Sequence, residues 1–215
     1  MKLIETKNYD ELSHVAADML ISEIKAKPDC VLGLATGSTP IGTYDKLIEA
    51  YKSNEVSFAK VKSINLDEYV GISWSNTESY RYFMNEHLFD HVDIDKTNTH
   101  VPNGLAGDLD EECVRYDALY DRIGPADIQM LGIGLNGHIG FNEPGTSLSA
   151  PTHIVKLSDS TRQANSRNFT SLDAVPYKAI TLGMAGIMKA KKIVLLASGP
   201  AKRDAIEKTV FGEVD

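Results

Sequence analysis

The chain has 215 residues, of which 42% are hydrophobic and 24% charged, and 22 basic against 30 acidic side chains give a formal net charge of −8. This length suits one large domain, and the composition argues against collagen-like, coiled-coil and disordered proteins. The acidic balance also argues against a general nucleic-acid binder, because neutralising phosphates requires many lysines and arginines. A small anionic ligand remains possible, since it needs only a few local cations or a helix N-terminus.

Cysteine and histidine usage points to neither a disulfide framework nor a metal site. The two cysteines, Cys30 and Cys113, form no CxxC pair, which is typical of a protein from a reducing compartment. The six histidines show neither an HxH nor an HExxH pattern, so we expect no metal. The N-terminus lacks the apolar segment of a secretory signal, and no apolar run approaches the ~18 residues of a membrane span. We therefore expect a cytoplasmic protein that binds no membrane.

In chain order, apolar residues recur with helical and strand periods in alternation. Helical spacing predicts helices over 12–24, 41–51, 77–88, 109–123, 184–191 and 201–210, with a short one capped by Asp159. Asp108 is the predicted cap of the helix over 109–123, and Gly124-Pro125 is its predicted stop. Short apolar runs predict strands over 30–35, 61–66, 128–134, 153–157, 179–183 and 192–198. This alternation indicates an α/β protein with a mainly parallel sheet and helices on both faces. Ligands of such sheets bind beyond the carboxyl ends of the strands, so the loops there are the first candidates for function.

The loop 36–40 (TGSTP) follows the first predicted strand and precedes a helix. Gly37 permits a tight turn, and Ser38, Thr39 and the free N–H groups then face the helix entrance, where an anion is favoured. The lysine of a nucleotide-binding P-loop is missing. A plain capped turn between a strand and a helix would leave the same pattern, so both interpretations stay open.

Two carboxylates, Asp67 and Glu68, stand abruptly at the end of the predicted strand 61–66. At the carboxyl edge of a parallel sheet, Asp67 is a candidate general base. A carboxylate that merely caps the next turn would look the same, so the pair alone is weak support for catalysis.

The segment 132–145 (GIGLNGHIGFNEPG) carries the longest signal. It contains GxGxxG, but a dinucleotide-binding fingerprint must open a helix, and Pro144 and the repeated glycines prevent one here. We interpret the segment as a rigid loop that presents Asn136, His138 and Glu143. His138 and Glu143 could form a hydrogen-bonded acid–base pair, although a single histidine in a loop is more often a surface residue.

Three basic residues are candidates for gripping an anionic substrate: Arg162 and Arg167 near the short helix after Asp159, and Lys202 beyond Ser198-Gly199-Pro200. For each of them, ordinary solvated charge is the default interpretation.

Taken together, TGSTP at 36–40, LDEYVG at 66–71, GIGLNGHIGFNEPG at 132–145 and TRQANSR at 161–167 resemble the glucosamine-6-phosphate deaminase family over essentially the whole chain. The resemblance implies a single Rossmann-like three-layer sandwich over 1–215 that uses no cofactor. It implies the conversion of glucosamine 6-phosphate and water into fructose 6-phosphate and ammonia, a step of amino-sugar catabolism that includes N-acetylglucosamine and sialic acid.

By the same resemblance, Asp67 is the enolisation base and His138 opens the sugar ring, with Glu143 assisting and orienting it. Asn136 stands where hexameric members have aspartate, so it can orient His138 but is not an acid or base. The matching phosphate-binding positions are Gly37, Ser38, Thr39, Arg167 and Lys202.

Two further departures from the family pattern carry expectations. Allosteric members use basic residues at the positions of His153 and Val155 to bind N-acetylglucosamine 6-phosphate, and Val155 cannot do so. We therefore expect a monomer without that activation. Family members usually continue for ~20 residues beyond the position of Asp215 with a further loop and strand, so a C-terminal segment is expected to be missing.

Two alternatives remain. A 6-phosphogluconolactonase of the same fold would need the phosphate site and the histidine but no proton shuttle at C2, so Asp67 speaks against it. A sugar-phosphate-sensing domain would be expected to lack the catalytic carboxylates and to be fused to a DNA-binding segment, and Asp67, His138 and Glu143 are all present.

Overall fold

A computed structural model of the chain describes residues 1–166 and 169–212. The helices are α1 (Tyr9–Ala26), α2 (Ile41–Lys52), α3 (Tyr80–Met84), α4 (Leu109–Ile123), α5 (Asp159–Asn165), α6 (Met184–Ile187) and α7 (Arg203–Phe211). The strands are β1 (Val31–Leu34), β2 (Lys62–Asn65), β3 (Asp67–Tyr69), β4 (Thr99–His100), β5 (Ile128–Gly132), β6 (His153–Lys156), β7 (Lys178–Thr181) and β8 (Ile193–Leu196). None of the described helices is long and apolar enough to cross a membrane.

Five strands form a parallel sheet in the order β4-β2-β1-β5-β8. Successive residues of β1 enter different cores: Leu32 and Leu34 pack with α1 and α2, whereas Val31 packs with α4. Side chains that alternate between two buried layers require helices on both faces. The predicted three-layer α/β sandwich is therefore confirmed.

The direction of winding reverses beside β1. The chain passes from β1 to β2 and β4 on one side, and then returns to β5 and β8 on the other. The carboxyl ends of β1 and β5 therefore flank a topological switch point, which is where open parallel sheets bind ligands.

The predicted strands 153–157 and 179–183 do not join this sheet. They correspond to β6 and β7, which form a separate antiparallel sheet in the order β3-β7-β6. The chain leaves β2 after Asn65 and starts β3 at Asp67, opposite Thr181 of β7. Apolar runs identify buried strands but do not say which partner strand they choose, which is why the sequence did not separate the two sheets.

Helix starts follow side-chain caps. Asp108 caps α4 as predicted, since its carboxylate accepts a hydrogen bond from Glu111 N at 2.9 Å. The helix predicted from residue 77 begins only after Ser79, whose hydroxyl accepts from Tyr82 N, and it continues as a π-helical turn over Asn85–Phe89. The short helix α5 is capped by Ser158 rather than by Asp159, which lies in its first turn.

Candidate active site

Four segments meet at the carboxyl edge of the parallel sheet. The segments after β1, β5 and β8 contain the residues 36–40, the residues 133–145 and Lys202, and the segment after β2 is the start of β3, where Asp67 lies. Parallel strands place their carboxyl ends on the same side of a sheet, so these groups converge around the switch point between β1 and β5. The edge that the sequence predicted for chemistry is therefore the edge that holds the candidate residues.

Asp67 is a buried carboxylate with no hydrogen-bond donor among the described residues. Its exposed fraction is 6%, and the pKa of its carboxyl is raised to about 8, first by burial and then by the negative charge of Glu68. A carboxylate that is desolvated and unsatisfied is a stronger base than one in water. Asp67 thus has the properties of a proton acceptor.

Glu68 is buried completely but is satisfied. Its carboxylate accepts hydrogen bonds from Tyr69 N at 2.9 Å, Tyr80 N at 2.9 Å, Arg81 N at 3.0 Å and Ser79 Oγ at 3.0 Å. It therefore caps the first turn of α3, where N–H groups lack partners of their own. For Glu68 the capping interpretation is correct, whereas Asp67 caps nothing.

A chain of two hydrogen bonds orders the side chains of the loop 132–145. His138 Nδ1 lies 2.7 Å from Asn136 Oδ1, and Asn136 Nδ2 donates to Glu143 Oε2 at 2.7 Å. The sequence suggested a direct pair between His138 and Glu143. The structure corrects this: the amide of Asn136 stands between them.

This arrangement fixes the tautomer of the neutral imidazole. Because Asn136 Nδ2 donates to the carboxylate of Glu143, its Oδ1 must face His138 and accept from Nδ1–H. The neutral ring then carries its lone pair on Nε2, which is left to accept a proton. Burial and the charge of Lys202 lower the pKa of His138, and the charge of Glu143 partly opposes them.

The ring of His138 lies against the backbone of Gly134. A Cβ atom on Gly134 would stand 2.3 Å from two ring atoms, Cε1 and Nδ1 of His138. Only glycine leaves room for the imidazole in this position. The glycines of the loop therefore place the histidine and do not approach a dinucleotide; the segment after β5 forms turns and no helix, as predicted.

The loop is fastened to β7 beside Asp67. Phe141 N donates to Thr181 Oγ1 at 3.2 Å, and Asn142 Nδ2 donates to Leu182 O at 2.9 Å. Thr181 is the residue paired with Asp67, and a Cβ on Gly140 would come within 3.2 Å of Asp67 Oδ2. The turn 139–142, which directly follows His138, thus lies beside Asp67.

Asn142 was missed by the sequence analysis. Its side chain is 3% exposed and holds the loop to the second sheet. A polar residue between Phe141 and Glu143 in a glycine-rich loop was the available signal, but the sheet that it contacts was not foreseen.

The loop 36–40 opens toward the same edge. Gly37 adopts a φ of +93°, a conformation that favours glycine, and α2 begins at Ile41 without a side-chain cap. Ser38 is exposed and Thr39 half-buried. Within the described residues, no acceptor is found for the N–H groups of Ser38 and Thr39. The loop therefore offers donors to an anion.

Lys202 approaches the histidine loop from β8. Its ammonium group donates to Ile133 O at 2.5 Å, and partial burial lowers its pKa.

Arg162 is instead structural: its guanidinium donates to Leu172 O and Val175 O and lies 3.8 Å from the ring centre of Tyr177. Arg167 lies outside the described residues. No group of three or more metal-ligating side chains is found in the described part of the chain.

Comparison with known proteins agrees with this architecture. The family model described as "Glucosamine-6-phosphate isomerases/6-phosphogluconolactonase" matches residues 5–214. A glucosamine-6-phosphate deaminase of Clostridium perfringens is 56% identical over 214 residues, covering 100% of this chain and 88% of its own length. Another, from a Geobacillus species, is 56% identical over 208 residues, covering 97% of this chain and 83% of its own length.

Solved structures separate a near relative from distant ones. A structure described as a monomeric glucosamine-6-phosphate deaminase superimposes with a TM-score of 0.98 at 49% identity, covering 100% of this chain and 89% of that one. A 6-phosphogluconolactonase from Thermotoga maritima reaches a TM-score of 0.74 at 18% identity, covering 97% and 88%, and shares the fold alone. The chain belongs to the glucosamine-6-phosphate isomerase/6-phosphogluconolactonase family.

Proposed function

We propose that this chain converts glucosamine 6-phosphate and water into fructose 6-phosphate and ammonia, as the relatives that are 56% identical to it do by name. The observation that carries the proposal is the placement of Asp67. A buried carboxyl without a hydrogen-bond donor lies beside the turn that carries an oriented neutral histidine. This is the pair of groups that an aldose–ketose isomerisation requires.

His138 opens the sugar ring in this mechanism. Its Nε2 lone pair accepts the proton of the anomeric hydroxyl and returns a proton to the ring oxygen as the bond between C1 and that oxygen breaks. Asn136 keeps Nε2 free by holding Nδ1–H, and Glu143 keeps Asn136 in place. The lowered pKa of His138 keeps the ring neutral before the step begins.

Asp67 then moves a proton from C2 to C1. Its carboxylate removes the C2 proton from the open-chain aldehyde, the electrons form a double bond between C1 and C2, and the C1 oxygen takes a proton from the protonated amine at C2, which gives an enol–amine. Asp67 returns a proton to C1, which leaves an iminium group at C2. Water adds to C2 and ammonia departs, so the net change is the gain of one water and the loss of one ammonia.

The phosphate is held away from the reacting carbons. The loop of Gly37, Ser38 and Thr39 supplies hydroxyls and backbone donors, and Lys202 with Arg167 supplies positive charge. Binding at C6 contributes to substrate affinity and places C1 and C2 opposite Asp67.

The 6-phosphogluconolactonase alternative is weaker. Lactone hydrolysis needs no proton transfer at C2, and the solved lactonase named above is only 18% identical. A sensing domain without turnover has no use for a desolvated carboxyl such as that of Asp67, which costs folding energy.

We further propose that the chain acts as a single domain and as a monomer in the cytoplasm, with a sugar phosphate as its partner and no nucleic acid. The solved relative at a TM-score of 0.98 is described as monomeric.

We also propose that the enzyme is not activated by N-acetylglucosamine 6-phosphate, because Val155 provides no charge that could bind the phosphate of this activator. Velocity should therefore depend hyperbolically on substrate; a sigmoidal curve that N-acetylglucosamine 6-phosphate abolishes would contradict this.

The test of the proposed function is product formation. Purified protein without added metal or cofactor is mixed with glucosamine 6-phosphate, and ammonia and fructose 6-phosphate are followed in parallel. Equal amounts of both are expected. A folded protein that produces neither, but hydrolyses 6-phosphogluconolactone, would replace the proposal with the alternative.

A further inference from the structure

Tyr9 connects the start of α1 to the loop 36–40. Its hydroxyl oxygen lies 3.0 Å from both Ser38 O and Thr39 O, and it accepts the N–H of Gly42 at 2.9 Å. The residue is 39% exposed, so this contact lies near the surface rather than in the core. One phenolic hydroxyl thus shares its single proton between the carbonyls of Ser38 and Thr39 and accepts the amide N–H of Gly42, in the segment that opens α2.

The approach of the two helices depends on Gly42. A Cβ on Gly42 would lie 2.4 Å from Ser13 Oγ and 3.0 Å from Tyr9 Cε1. Ser13 in turn is buried and donates to Tyr9 O at 2.8 Å. The position of the Tyr9 ring is therefore set by close packing of α1 on α2, and its hydroxyl meets the loop in a fixed direction.

The hydroxyl determines which amides of the loop remain available. Gly42 N–H is already satisfied by Tyr9, although it belongs to the first turn of α2. The peptide between Ser38 and Thr39 is trans, so its C=O and N–H point in opposite directions. With Ser38 O turned toward Tyr9, the N–H of Thr39 points away from the phenol.

We propose that Tyr9 is a positioning residue for the phosphate group of the substrate, a phosphate monoester, and that it acts by orienting the amide of Thr39. The inference rests on the proposed function, which places the phosphate at Gly37, Ser38 and Thr39. Tyr9 touches no reacting atom. It contributes to substrate affinity and leaves the proton transfers at Asp67 and His138 unchanged.

Tyr9→Phe removes the hydroxyl and keeps the ring. One hydrogen-bond network of this kind corresponds to about a three- to tenfold change in an equilibrium constant. The KM for glucosamine 6-phosphate and the Kd for inorganic phosphate should both rise by that factor, while kcat stays unchanged. Tyr51→Phe is the matched control, since the Tyr51 hydroxyl on α2 makes no hydrogen bond within the described residues.

Calorimetric titration with inorganic phosphate gives a readout that does not depend on turnover. A Tyr9→Phe variant that melts like the wild type but binds phosphate more weakly supports the proposal. Equal phosphate affinity in the two proteins, or a fall in kcat at unchanged KM, overturns it. Failure of the wild type to release ammonia would overturn the proposed function instead, and the phosphate titration would still decide the role of Tyr9.

Discussion

Asp67 and His138 are held in opposite ways. Asp67 lies on a short strand, buried, without a hydrogen-bond donor among the described residues. His138 lies on an irregular loop, half-buried, and its ring is fixed by Asn136 and by the backbone of Gly134. Burial raises the pKa of Asp67, whereas a hydrogen bond and close packing orient the ring of His138. Substitutions should therefore affect the two sides of the site differently.

The largest effect is expected for Asp67→Asn. The amide has the shape of the carboxyl but cannot take the C2 proton, so kcat should fall by about a thousandfold while KM changes little. Steady-state assays of ammonia release measure both constants. A rise in KM equal to the fall in kcat would count against a base and favour a binding role.

Gly134→Ala tests the histidine side. The added Cβ meets the imidazole of His138 and should turn it away from Asn136, which lowers kcat by about a hundredfold if the ring moves by an ångström. Gly107→Ala is the matched control, because Gly107 is exposed outside the four segments of the site and nothing lies within 4 Å of a Cβ there, so this variant should retain full activity. Equal activity of the two variants would show that the position of the ring does not matter.

Lys202→Ala tests the phosphate end of the site. Loss of a charged partner should raise KM about tenfold or more, with a smaller change in kcat. Arg167→Ala is predicted from the sequence to behave alike. Inhibition by inorganic phosphate provides a second measure of the site, and a variant that keeps wild-type affinity for both ligands removes that residue from it.

The smallest expected effect is a pH-dependent difference in stability between the Asp67→Asn variant and the wild type. The pKa of Asp67 is about 8 in the folded protein against an ordinary value of 3.8, so ionisation opposes folding as pH rises between these values. The neutral amide of the Asp67→Asn variant does not ionise and has no such dependence. The Tm of this variant should therefore exceed that of the wild type by an amount that grows with pH up to about 8. A constant difference from pH 4 to 8 would contradict a raised pKa.

Much of the fold followed from the sequence because local patterns determine it. The apolar run around β1, the cap at Asp108 and the stop at Gly124 are short-range signals, and each predicted its element. The second sheet was not predicted, because the pairing of Asp67 with Thr181 joins residues far apart in the chain. Periodicity contains no information about such partners.

Part of the candidate site likewise followed from the sequence and part did not. Residue types and spacing indicated Asn136, His138 and Glu143, but only the folded loop shows that the amide stands between the ring and the carboxylate. Asn142 and Tyr9 were passed over, since each acts through contacts with elements distant in sequence.

The fate of the C2 hydrogen tests the central claim most directly. Glucosamine 6-phosphate deuterated at C2 is converted in ordinary water, and deuterium at C1 of the fructose 6-phosphate is measured by mass spectrometry. Because the carboxyl of Asp67 is buried and has no hydrogen-bonded partner among the described residues, a measurable fraction of the label should reach C1. A product whose C1 hydrogen comes entirely from water would contradict a single base shielded from solvent.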